Sequence, residues 1–151
     1  MNPSIQILIA TFTATSAMTM FSYFVSAGFK ELYKEPLLLK YLLMRLKITV
    51  SDRLKEILAW LIHYSIGFIF VLGYYVLWEK GIITFTVVTG IYLGAVCGVI
   101  GIIGWIIMLK LARFQRKAHD KGYYIQLFLA HIIFGVTAII TFLILNGEKM
   151  T

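Results

Sequence analysis

Apolar residues dominate four stretches of the chain, roughly 4–27, 57–78, 82–109 and 123–145, and charged residues collect between them. Each stretch reaches the ~20 residues that a helix rising ~1.5 Å per residue needs to cross a hydrocarbon core of about 30 Å. None keeps up the period-two alternation of a barrel strand. The pattern predicts an all-α membrane protein, a bundle of four transmembrane helices in a single domain spanning 1–151. A shorter periodicity lies at 36–47, where Leu38, Leu39, Leu42, Leu43 and Leu46 recur at helical steps beside Lys40, Arg45 and Lys47. Too short to span, it is expected to lie in the cytoplasmic interface as an amphipathic helix with its leucines in the acyl region. The first stretch has no basic residue ahead of it and runs on too far for a signal peptide, so it is expected to be a retained helix.

Finer patterning assigns faces to these helices. In the first, Thr11, Thr15, Thr19 and Ser22 fall on one stripe, close to Ala10, Ala14 and Ala17. Small and hydroxyl residues gain little from lipid, so the stripe is expected to meet another helix; the alternative is a polar lining for a substrate path. In the third, Gly90, Gly94 and Gly98 stand at steps of four and are followed by Gly101 and Gly104. This is a double GxxxG surface for close backbone approach, either within the chain or between two copies of it. Ser51 or Asp52 offers an N-cap to the second helix, and Asn146-Gly147 ends the fourth. Glu79-Lys80-Gly81 predicts a tight reversal that makes the second and third helices close antiparallel neighbours. Tyr74, Tyr75 and Trp78 are expected to form an outer aromatic belt, with Trp60 marking the inner one.

Charge adds an orientation. Twelve of the fourteen Lys and Arg fall in the connections 28–56 and 110–122, leaving Lys80 and Lys149 for the other side. The positive-inside rule makes those connections cytoplasmic and puts both termini outside. With 60% hydrophobic and 14% charged residues and a mean hydropathy of +0.87, the net charge of +7 points to anionic lipid head groups as partners, not to nucleic acid. The single cysteine, Cys97, sits mid-helix among glycines and is expected to be a packing residue, so no disulfide or metal motif is present.

Two ionisable residues interrupt the apolar runs. His63 in AWLIHYSIG and His131 in LFLAHIIFG each have a glycine four residues on, Gly67 and Gly135. The halves 1–80 and 81–151 share one layout: a helix with small residues at four-residue steps, a basic connection, and an outward helix with HxxxG near its start. That plan implies a parallel repeat about an axis along the membrane normal. On it, the two imidazoles differ in depth by about 3 Å.

Three readings of the pair stay open. Each His could be interhelical glue, bonded to a hydroxyl such as Thr19 or Ser22 or to a backbone carbonyl. The pair could handle protons or a protonatable ligand, although every acidic residue falls in a loop or at a helix end. Or both could ligate a b-type haem, with no other cofactor or metal expected. Gly67 and Gly135 would then leave room for a flat ligand or a close helix. His119, among RKAHDKG, belongs to the basic surface.

ATSAMT at 14–19, HxxxG at His63–Gly67 and His131–Gly135, and GxxxG at Gly90–Gly98 with Trp105 beyond it resemble a diffuse group of small four-helix bacterial and archaeal membrane proteins of unknown function. The resemblance implies the helical plan and a bacterial inner-membrane location, and it implies no activity. No nucleophile–base pair, paired carboxylates or phosphate-binding glycine loop points to an enzyme. The expected role is a structural or accessory membrane component, associating with itself as a homodimer or with a larger complex. The alternative is a small binding, proton-linked or transport module centred on His63 and His131.

Overall fold

The computed structural model describes residues 1–29, 34–111, 113 and 121–147. They form five helices: α1 (Pro3–Phe29), α2 (Glu35–Arg45), α3 (Asp52–Glu79), α4 (Val87–Leu111) and α5 (Lys121–Asn146). No strand occurs among the described residues. All but α2 are long and apolar enough to cross a membrane. Lys30, Arg116, Lys117, His119 and Lys149, on which part of the charge argument rests, lie outside the described residues.

The ends follow local chemistry. α3 begins five residues earlier than its apolar run because the Ser51 hydroxyl accepts the Leu54 N–H at 3.3 Å, capping Asp52 onward. α4 begins later than its apolar run. Gly81 turns the chain at φ +67°, residues 82–86 belong to no helix, and the Thr86 hydroxyl accepts the Thr89 N–H at 3.1 Å. After α5, Gly147 takes φ +59°, a left-handed position suited to glycine.

α1 packs against both α3 and α5, and α4 packs against α5. The small-residue stripe of α1, from Ala10 and Thr11 through Ala14, Thr15 and Thr19 to Ser22, is buried along its length. The order across the molecule is therefore α3, α1, α5, α4. The close α3–α4 pairing expected from the short turn is corrected: α3 packs on α1 and α4 on α5, while Trp78 of α3 stacks on Phe85 of the connection with ring centroids 5.4 Å apart and Tyr74 donates to Cys97 Sγ, midway along α4, at 3.1 Å. Farther from the turn they part, because α1 and α5 stand behind the gap and hold one helix each. Tyr74 is thus a buried contact and not a member of an interfacial belt.

α2 also differs from expectation. Leu38, Leu39, Leu42 and Leu43 are all buried, in one cluster with Ala59, Trp105, Leu109, Tyr123 and Leu127. These four leucines are spent on the other helices, whereas Leu46, just past the end of α2, is exposed. Lys40 on the outer side of α2 pairs with Glu56 of α3 at 3.1 Å. α2 therefore closes the end of the molecule opposite the α3–α4 turn.

Candidate functional site

Where α3 and α4 part, they leave a cavity of about 170 Å³ that all five helices line. Its wall is mostly apolar: Met18, Leu39, Phe70, Ile100, Trp105 and Phe134 among others. Its polar groups are Thr15 from α1, Glu35 from α2, His63 from α3 and His131 from α5. Ile66 and Ile100, on the two sides of the α3–α4 gap, are both exposed, so the cavity's rim faces whatever surrounds the long helices.

The histidines border the same cavity, yet they are held differently. His63 Nε2 lies 2.9 Å from the Thr19 hydroxyl, which itself donates to the Thr15 carbonyl at 2.7 Å. With that hydroxyl proton committed, Thr19 accepts, and Nε2 of His63 is the donor. The bond crosses from α3 to α1. His131 stays within its own helix, its Nδ1–H donating to the Leu127 carbonyl at 2.8 Å. The other nitrogen, Nε2, is then a lone-pair acceptor in the neutral ring. It occupies the space opened by Gly101, where a Cβ would stand 2.8 Å from it. Phe70 meets the ring edge-on at 6.2 Å between centroids.

The glycines expected beside the histidines serve protein contacts. At Gly135 a Cβ would run into the Gly90 carbonyl oxygen and stand 2.7 Å from the Gly94 nitrogen. A Cβ on Gly94 would be 2.5 Å from the His131 carbonyl oxygen, and one on Gly98 would be 2.8 Å from the Phe128 ring. The α4–α5 crossing is thus backbone against backbone. Gly67 gives way to a side chain instead, the Thr15 hydroxyl of α1. Neither HxxxG glycine is an empty notch for a flat ligand.

Ser22, expected beside a histidine, bonds elsewhere. Its one hydroxyl proton is shared between Glu35 Oε1 at 2.8 Å and the Met18 carbonyl at 3.1 Å, its oxygen accepts Gln126 Nε2 at 2.6 Å, and Gln126 also reaches Glu35 Oε1 at 3.4 Å. Glu35 is 1% exposed. An acidic side chain therefore does share the interior with the histidines. It is at a helix end, the first residue of α2, but that end is folded inward. Sequence reasoning missed Glu35 because α2 was expected to lie flat on lipid, and it missed Gln126 entirely. The signal for Gln126 was available: an amide five residues before His131 in an otherwise apolar run, where an amide needs a partner.

The space does not suit a haem. Pockets for drug-sized ligands run to about 300–1,000 Å³, larger than this cavity, and His63 Nε2 is already bonded to Thr19. Among the described residues no three His, Cys, Asp or Glu side chains converge to hold a metal ion. What the cavity can do is hold a small apolar body with one polar group turned toward Glu35 and the imidazoles. Compared with protein-family models, with curated proteins and with solved structures, the chain gives no match. The class that the fold itself defines is an all-helical protein with four helices able to span a membrane.

Proposed function

We propose that this is a multi-pass protein of a bacterial inner membrane whose four long helices form a bundle around a small-molecule site, with the α3–α4 cavity as that site. The α2 end faces the cytoplasm and both termini lie outside. Supporting that orientation, among the described residues Lys34, Lys40, Arg45, Lys47, Arg53, Lys55, Lys110, Arg113 and Lys121 flank the α2 end of the helices, against Lys80 at the α3–α4 turn. The observation that carries the binding role is the convergence of Glu35, His63, His131 and Thr15 on one mostly apolar cavity that opens between α3 and α4. A purely structural component has no use for that gap, since a packed α3–α4 contact would serve it better. A molecule dissolved in the bilayer reaches such a site sideways, past Ile66 and Ile100.

Photolabelling tests this. Phenyl trifluoromethyl diazirine is an uncharged lipophilic probe; its ring is that of benzene, which occupies an engineered cavity of about 150 Å³ in another protein, and its larger diazirine end can stand toward the open α3–α4 rim. In the membrane-embedded protein it is expected to label the buried Trp105 and Phe134 as well as the outward-facing residues. Gly104 lines the cavity and has nothing within 4 Å of a Cβ position, so Gly104→Leu should fill the space and remove the inner labelling alone. Labelling confined to outward-facing residues such as Phe12 and Phe24 in the unmodified protein would sink the proposal.

A further inference from the structure

The polar groups around the cavity differ in what they leave for a ligand. Glu35 has its Oε1 taken up by Ser22 and Gln126, and the residue is 1% exposed. The Thr15 hydroxyl oxygen is buried against Gly67, where a Cβ would run into it. His63 spends its Nε2–H on Thr19, so the polarity left on that ring is the lone pair of Nδ1. His131 is the clearest case. Its Nδ1–H goes to the Leu127 carbonyl, and Nε2, with no hydrogen-bond partner among the described residues, carries a lone pair. This α5 ring stands over Gly101 of α4 and meets Phe70 of α3 edge-on, which sets it in the α3–α4 gap. At 5% exposure it has little water to draw on, and a buried acceptor without a donor is a standing cost that a ligand's donor removes.

Resting on the reading of the cavity as a binding site, we propose that its ligand class is a small lipophilic phenol whose hydroxyl donates to His131 Nε2. Size admits one aromatic ring: the space is about 170 Å³, and benzene occupies about 150 Å³ in another protein. Phe70, Trp105 and Phe134 in the wall suit a flat ring through edge and offset contacts. The donor has to come without charge. An ion would need a counter-charge of its own, and the Glu35 oxygen that Ser22 and Gln126 hold is already engaged. A phenol brings a neutral donor, stronger than that of an aliphatic alcohol because its oxygen parts with the proton more readily. That oxygen also keeps lone pairs for the Trp105 indole N–H in the same wall. An ether or ketone of the same size brings acceptors alone and leaves Nε2 unmet. A substituent opposite the hydroxyl can stand toward the rim at Ile66 and Ile100.

Competition against the diazirine label tests this with p-cresol, with p-xylene, where a methyl group replaces the hydroxyl at nearly the same size, and with p-methylanisole, which keeps the oxygen and loses its proton. All are compared at equal membrane-bound concentration and neutral pH. Protection is read as labelling of Trp105 and Phe134 relative to the outward-facing Phe12 and Phe24, so that mere quenching of the probe in the bilayer cancels. p-Cresol is expected to halve the inner labelling at concentrations about two- to tenfold below either of the others, the span of one neutral hydrogen bond. If p-cresol gains nothing over p-xylene or over p-methylanisole, the phenol assignment is overturned and the binding role is left intact. Absence of inner labelling before any competitor is added overturns the binding role instead. The ranking in the unmodified protein is decisive by itself. His131→Phe adds a second arm, since it keeps an aromatic ring and removes the lone pair: where its inner labelling persists, the advantage of p-cresol should vanish, and a retained advantage would refute the role given to His131 Nε2.

Discussion

The α4–α5 seam and the α1–α3 seam solve one problem by opposite means. In both, a long helix covers the glycine of an HxxxG segment. Gly135 is covered by the backbone of Gly90 and Gly94, whereas Gly67 is covered by the side chain of Thr15. The first seam closes because side chains are missing. The second closes through hydroxyls: Ser16 to Tyr64 at 2.9 Å and Thr19 to His63 at 2.9 Å. In lipid there is no hydrophobic force between helices, so close van der Waals approach and cross-helix hydrogen bonds are the two means available. One half of the chain uses each. A twofold repeat would also pair α3 with α4 as α1 pairs with α5. That pairing is the one missing, and the cavity lies in its place.

The sharpest way to break the comparison is to add a side chain at each seam. Gly94→Leu sets its Cβ 2.5 Å from a carbonyl oxygen and 2.7 Å from the Ile132 Cα, backbone atoms that cannot move without separating the helices. The expected loss is about 3 kcal/mol or more, at the upper end of overpacking costs, seen as a large drop in thermal midpoint in detergent. Gly67→Ala meets only the Thr15 hydroxyl, which a rotation can move, so its loss should be smaller, and Thr15→Ala in the same chain should restore most of it. If Gly94→Leu melts no earlier than Gly67→Ala, the two seams are not different in kind.

How much of this was legible beforehand depends on the range of the interaction. Hydropathy runs gave the long helices to within a few residues, since spanning length is a local property, and the faces of α1 and α4 followed from residue spacing. The failures were at long range. The α3–α4 turn read as a tight reversal, but whether its helices stay together depends on α1 and α5, which the turn does not encode. The leucine face of α2 matches lipid and protein equally well, so sequence could not say which it met. Glu35 followed from that error: a carboxylate before Pro36 looks like a solvated helix start until the helix is turned inward. The histidine pair was found from its spacing, but its asymmetry rests on Thr19 and Leu127, and only three-dimensional placement distinguishes a bond across helices from one within a helix.

A middle-sized effect concerns the polar tie that neither seam contains. Ser22 stands between Gln126 and Glu35, joining α1, α5 and α2. Ser22→Ala leaves the buried Gln126 amide without its shortest contact, at an expected cost of about 1–3 kcal/mol. The measurement is the thermal midpoint, with Gln126→Leu/Ser22→Ala as comparison. Replacing both partners removes the stranded donor, so the double variant should be more stable than Gln126 left alone. A double variant no better than Ser22→Ala would mean that Gln126 was not stabilised through Ser22.

The smallest effect bears most directly on the two histidines. If His63 joins α3 to α1 through Thr19, then His63→Leu and Thr19→Val should not be additive. Their coupling should be near 0.6 kcal/mol, the average for cross-helix hydrogen bonds in a membrane, and no more than about 1.7. His131 bonds within α5, so His131→Leu combined with Thr19→Val should be additive within about 0.3–0.5 kcal/mol. Unfolding free energies for the four-variant cycle, measured in the same detergent, give both numbers. The contrast matters more than either value, because it separates an imidazole engaged in holding helices together from one whose free nitrogen is left to the cavity. Equal coupling of both histidines to Thr19 would erase that distinction. It would also take His131 Nε2 from the groups left to the cavity, so a stability measurement on helix packing bears on the chemistry of the site.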